Sequence, residues 1–109
     1  MLWFLCRKVF IYVFYCLFMK RLHLVITGDV QGVCFRFYSK KEAIRLGVVG
    51  WIVNKGDGSV EVVAEGGKKQ LDDLLKFCRH GPRWAHVVDV KEEWLEGSGE
   101  FSGFVVRRG

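Results

Sequence analysis

The sequence contains one proline, Pro82, in 109 residues. That scarcity excludes a collagen-like or proline-rich disordered chain, and half of the residues are hydrophobic. No internal repeat and no linker-like stretch divides it. A chain of this length makes one domain, with enough core to fold without staples. Zinc-type spacings and CxxC pairs are also missing, although Cys6, Cys16, Cys34 and Cys78 are present. All four are read as free thiols, with a Cys34–Cys78 bridge as the disfavoured alternative. His23, His80 and His86 are scattered, which argues against a metal site. Long charge runs are absent too. The net charge is +5, and setting aside Arg7 and Lys8 leaves 15 basic against 12 acidic residues. The basic residues fall in pairs at 20–21, 40–41, 68–69 and 107–108 rather than in a stripe. Nucleic acid is therefore not an expected partner, whereas a small anion suits such a field.

A complete membrane span is lacking as well. The opening "MLWFLCRKVFIYVFYCLFM" is hydrophobic at 17 of 19 positions, but Arg7 and Lys8 split it. The uninterrupted part, 9–19, is 11 residues, against about 20 for a spanning helix. It has no small-residue cleavage site and no polar face for an interfacial helix. Residues 1–18 are therefore read as an apolar N-terminal extension. Its alternatives are a mis-assigned start, with Met19 the true first residue, or a membrane anchor. Residues 19–109 form the domain. A cytoplasmic monomer is expected, with membrane association only through 1–18.

From Lys20 onward the hydrophobic pattern switches between strand and helix periods. "RLHLVITG" sets Leu22, Leu24 and Ile26 against Arg21, His23 and Thr27, as a strand does. "FRFYSKKEAIRLG" lines Phe35, Ser39, Ala43 and Leu46 on one helical face and stops at Gly47. "VVGWIVN" and "SVEVVAEG" flank the turn "KGDG" and predict an antiparallel hairpin. Its third strand should bury Val60, Val62 and Ala64 and leave Glu61, Val63 and Glu65 on a wet face. "KKQLDDLLKFCRHG" repeats Leu71, Leu74, Leu75 and Cys78 at helical spacing. "AHVVDVKEEWLE" is a strand whose alternation slips near Asp89, predicting a bulge, and "FSGFVVRR" is a short last strand. The order β-α-β-β-α-β predicts an α+β, ferredoxin-like split βαβ sandwich. Its antiparallel sheet would carry two helices on one face.

Between the first strand and the first helix lies "GDVQGVCFR", 28–36. The first amides of a helix have no partner inside it and carry partial positive charge. Gly28 and Gly32 let the backbone bend so that such amides converge on an anion. Arg36 then stands in the first helical turn, where acids are preferred. Its cost there is offset by an anion alongside, and a guanidinium fork can grip two phosphate oxygens. The plainer reading is an ordinary strand–helix connection with a surface arginine. Asn54 also has two readings. Before "KGDG" it is a common turn-former. Alternatively, it projects toward the sheet end holding the glycine loop and positions a water there. The first and second strands are expected to run in opposed senses, separated by the third.

"GDVQGVCFR" resembles the first signature of the acylphosphatase family, and "GWIVNKGDGSVEVVAEG", 50–66, resembles its second. Gly50, Trp51, Asn54, Gly58, Val60 and Gly66 are in register with it. Ile52 and Val53 depart from the usual pattern, which bears on packing and substrate preference. The resemblance covers about residues 20 to 109. It implies a ferredoxin-like fold and hydrolysis of the carboxyl–phosphate bond of acyl phosphates, without metal or cofactor. It places the catalytic pair on Arg36 and Asn54. The phosphate loop falls on Gln31, Gly32, Val33, Cys34 and Phe35, with Gly28 as a structural glycine.

Such chemistry needs little equipment, because a carboxylate leaves without prior protonation and phosphoryl transfer is mostly positioning and charge stabilisation. A cysteine-phosphatase role for Cys34 is disfavoured, since HCx5R is absent. The rival class is a non-catalytic phosphate- or nucleic-acid-binding module of the same fold. RNA binding would call for exposed aromatics on the central strands. Those strands offer His23, Val25, Thr27, Glu61, Val63 and Glu65 instead.

Overall fold

The computed structural model describes residues 19–108. The expectations for residues 1–18 lie outside the described residues. Strand β1 (Lys20–Asp29) buries Leu22, Leu24 and Ile26 completely, as its alternation requires. Helix α1 (Phe35–Leu46) buries Phe35, Ser39 and Ala43 and ends at Gly47. Strands β2 (Val49–Asn54) and β3 (Val60–Gly66) form the hairpin. Helix α2 (Lys68–His80) buries Leu71, Leu74 and Cys78, while Leu46 and Leu75 pack at the rim of the core. Strands β4 (His86–Glu96) and β5 (Phe104–Arg107) complete the sheet. Among the described residues no helix is long and apolar enough to cross a membrane.

The sheet order is β4-β1-β3-β2-β5. The core fills the space between one sheet face and the two helices, joining Leu24, Ile52 and Val62 to Phe35, Leu71 and Leu74. The α+β sandwich stands, but two expectations about direction do not. Strands β1 and β2 each pair antiparallel with β3, so they run in the same sense, not opposed senses. The cause is the helical crossover, which returns the chain to the starting edge before β2 begins. The sheet is also mixed rather than wholly antiparallel, because β5 pairs with β2 in parallel. The chain crosses from the β4 edge to the far edge before β5 starts, so no hairpin can form there. The expected bulge is present: Thr27 faces Asp89 and Gly28 faces Val87, leaving Val88 over.

The outer face of β3 is not wet along its length. Val63 is 8% exposed and Glu65 is 0% exposed. The segment after β4 folds back over Glu65, whose carboxylate accepts the Ser98 and Gly99 amides at 3.0 Å. The Ser98 hydroxyl donates to it at 2.9 Å and Arg21 Nε at 2.7 Å. Arg21 also reaches Glu100 and stacks over Phe101. Further along, His23 and Glu61 meet at 2.7 Å. Burial by itself pushes the Glu65 carboxyl up. The amides of Ser98 and Gly99, then Arg21 and the Ser98 hydroxyl, outweigh burial and hold it below its ordinary value of 4.5.

This carboxylate makes stability depend on pH. A pKa depressed by folding contributes stability above the unfolded value, and the contribution is lost as pH falls through the folded value. Urea midpoints should therefore drop below pH 4.5. Glu65→Gln should flatten that acid limb. Glu65→Ala, which strands Arg21 and two amides, should cost roughly 3 kcal/mol at pH 7.

Candidate active site

Because β1 and β2 are parallel, their C-terminal ends share one edge of the sheet. The glycine loop leaves β1 there, and Asn54 ends β2 there. Gly28, at φ 127°, passes so close to β4 that a Cβ would lie 2.2 Å from the His86 carbonyl oxygen. The loop thus starts from a fixed point at the bulge. Val30 then anchors it in the core. Gly32 (φ 76°) and Cys34 (φ 61°, ψ 23°) both take left-handed backbone. Cys34 is the one non-glycine residue with positive φ among the described residues. Such conformations are strained for a side chain and gather at functional sites.

Phe35, 1% exposed, plugs the first turn of α1 into the core. That fixes the direction in which the free N-terminal amides of α1 point. The first turn contains no acidic residue, and Arg36 has no ion pair among the described residues. A cavity of about 490 Å³ opens in front of the loop. Gly32, Cys34, Phe35 and Arg36 line it from the loop and helix, and Asn54 lines it from β2. Phe37, Lys40 and Val106 continue the wall.

Asn54 carries the most informative atom. Its Oδ1 is buried and accepts no hydrogen bond among the described residues. An unsatisfied buried acceptor costs roughly 1–3 kcal/mol. Residues that hold it in place despite that cost suit a site built to receive a donor. The turn that follows Asn54 has its own device. The Asp57 carboxylate accepts the Ser59 hydroxyl at 2.6 Å and the Ser59 amide at 3.0 Å. These bonds, with Ser59 foremost, hold the Asp57 carboxyl below its usual range. Lys55 N also donates to Ser59 O at 2.8 Å, closing the turn.

Gln31 and Val33 are not among the residues that line the cavity. The Gln31 Nε2 donates to the Lys55 and Ser59 carbonyls at 2.7 and 2.9 Å. It straps the loop to the turn that carries Asn54. Val33 packs on the rim of the core. Sequence reasoning missed the strap because it joins segments 24 and 28 residues apart. The Asp57–Ser59 turn was legible in "DGS" as an Asx turn. Cys34 and Cys78 are both unpaired, with Cys34 exposed and Cys78 buried. Burial pushes the Cys78 thiol up to about 12, which makes it inert. The histidines form no cluster that could hold a metal ion among the described residues.

The family model "Acylphosphatase" matches residues 22–106. The chain belongs to the acylphosphatase family. It is 46% identical to an acylphosphatase of Pelotomaculum thermopropionicum over 86 residues, 79% of this chain and 94% of that one. A relative of the same name from Caldanaerobacter subterraneus is 47% identical over 85 residues, 78% of this chain and 94% of that one. The crystal structure of acylphosphatase from Bacillus subtilis superposes with a TM-score of 0.78 at 27% identity, covering 81% of this chain and 98% of that one. The family match covers the loop, Arg36, Asn54 and at least part of each of the five strands, and residues 1–18 lie outside it.

An orphan acceptor contributes nothing to folding, so removing it should not harm the fold. Asn54→Ala should unfold within about 0.5 kcal/mol of the parent or be slightly more stable. Gln31→Ala should lose about 1–2 kcal/mol with its two bonds. Urea denaturation of both variants checks the contrast.

Proposed function

We propose that this protein hydrolyses the carboxyl–phosphate bond of acyl phosphates with the loop 28–36, Arg36 and Asn54. Family membership supports the reaction class. The observation that carries the assignment of roles is Asn54, which lines the cavity shared with Arg36 and keeps its Oδ1 buried without a donor.

In this reading the loop amides and the Arg36 guanidinium grip the non-bridging phosphate oxygens. The loop amides are held by the backbone before the substrate arrives, so they stabilise the transition-state charge without reorganising. Asn54 Oδ1 accepts a hydrogen bond from a water and holds its oxygen toward phosphorus, supplying proximity rather than basicity. The new bond joins water oxygen to phosphorus. The bond from phosphorus to the acyl oxygen breaks, and its electron pair leaves on a carboxylate. An unperturbed carboxylate has a pKa of about 4, so no acid need protonate it. A phosphate oxygen takes the surplus proton of the water. No metal or cofactor enters these steps.

The two described cysteines are unpaired, which suits a reducing compartment such as the cytoplasm. A nucleic-acid role is disfavoured by the outer faces of β1 and β3. They hold the His23–Glu61 and Arg21–Glu65 pairs rather than an aromatic platform.

The test is hydrolysis of benzoyl phosphate by the full chain, followed by ultraviolet absorbance with EDTA present. Turnover should survive EDTA. Arg36→Ala should lower kcat/KM by about a hundredfold or more, the scale for losing one transition-state donor, and weaken inhibition by inorganic phosphate. Asn54→Ala should lower kcat by a similar factor and leave phosphate inhibition unchanged. A folded protein that binds phosphate without turnover would contradict the reading.

A further inference from the structure

The cavity holds a second cation that the reaction above does not use. Lys40 lies four residues after Arg36 on α1 and lines the same cavity. Its neighbour Lys41 is exposed, whereas Lys40 is half-buried. Two like charges at this spacing repel each other on a helix. Neither has an ion pair among the described residues. No acidic side chain lines the cavity either.

Position separates the two cations. Arg36 is in the first turn, beside the free amides, and serves the phosphate. At 1.5 Å per residue, Lys40 sits about 6 Å further along the helix, beyond the free amides. The remaining wall there is apolar and open: Phe37 is 60% exposed and Val106 39% exposed. A volume of about 490 Å³ lies in the range that takes a ligand larger than a bare phosphate. The wall therefore offers an acyl group a hydrocarbon surface and, at one place, an unpaired ammonium.

Resting on the hydrolase reading above, we propose that Lys40 selects acyl phosphates whose acyl group carries a second carboxylate. The carbon skeleton lies along Phe37 and Val106, and the distal carboxylate meets the Lys40 ammonium. Lys40 is then a specificity-determining residue. It acts on the leaving group's far end and not on phosphorus.

The probes are benzoyl phosphate and the 3- and 4-carboxybenzoyl phosphates, followed by absorbance with the full chain. The parent should favour at least one carboxylated compound. Lys40→Gln should lower kcat/KM for that compound about tenfold more than for benzoyl phosphate, with the difference in KM. Lys40→Arg should restore the preference. A ratio that stays within about twofold overturns the proposal, whether both activities fall together, as a phosphate contact would cause, or neither falls. A parent that hydrolyses none of the three compounds overturns the hydrolase reading instead, so the two failures are distinguishable.

Discussion

Strand β3 lies between β1 and β2 and pairs antiparallel with both, and the site depends on that arrangement. It forces β1 and β2 to end on the same side of the sheet. A loop after β1 and a side chain at the end of β2 can then face one cavity. Had β2 run the other way, Asn54 would sit at the opposite edge, a strand's length from Arg36. The Gln31 strap refines what the sheet provides, tying the loop to the turn by two bonds under 3 Å. Phe35 does the same for α1 by burying its first turn. Three contacts of different kinds therefore set the relative positions of Arg36 and Asn54, the proposed catalytic pair, on separate elements.

Local rules are broken in the same few residues. Cys34 is left-handed without being glycine, Arg36 stands at the positive end of a helix, and Asn54 keeps a buried oxygen unpaired. Elsewhere local pattern and structure agree: alternation matches β1, and helical spacing matches α2. Such clustering of local conflict is expected where a site, and not the fold, has determined the residues. The buried Glu65 is a contrasting case. It too is a polar group in an enclosed place, yet each nearby donor is aimed at it, so it anchors the β4–β5 segment and needs no ligand.

Much of this was legible from the chain. Leu22, Leu24 and Ile26 announce β1, Leu71, Leu74 and Cys78 announce α2, and the slip at Asp89 announces the bulge. Arg36 stands out as a residue whose type does not suit its local position. Other features depend on contacts far apart in sequence. The burial of Glu65 comes from a segment 33 residues on, and an alternating pattern cannot show what later folds across it. The parallel pairing of β5 with β2 likewise depends on a crossing over the whole sheet. The shared direction of β1 and β2 was within reach, since a helical crossover between two strands of one sheet returns the chain in the same sense.

The roles given to the loop, Arg36 and Asn54 all require attack on phosphorus, with water held by Asn54 and the carboxylate leaving intact. Hydrolysis in water labelled with heavy oxygen tests that requirement most directly, with the products separated and weighed by mass spectrometry. A single turnover should place the label in inorganic phosphate and leave the released carboxylate unlabelled. Label in the carboxylate would mean attack at the carbonyl carbon and would contradict all three roles.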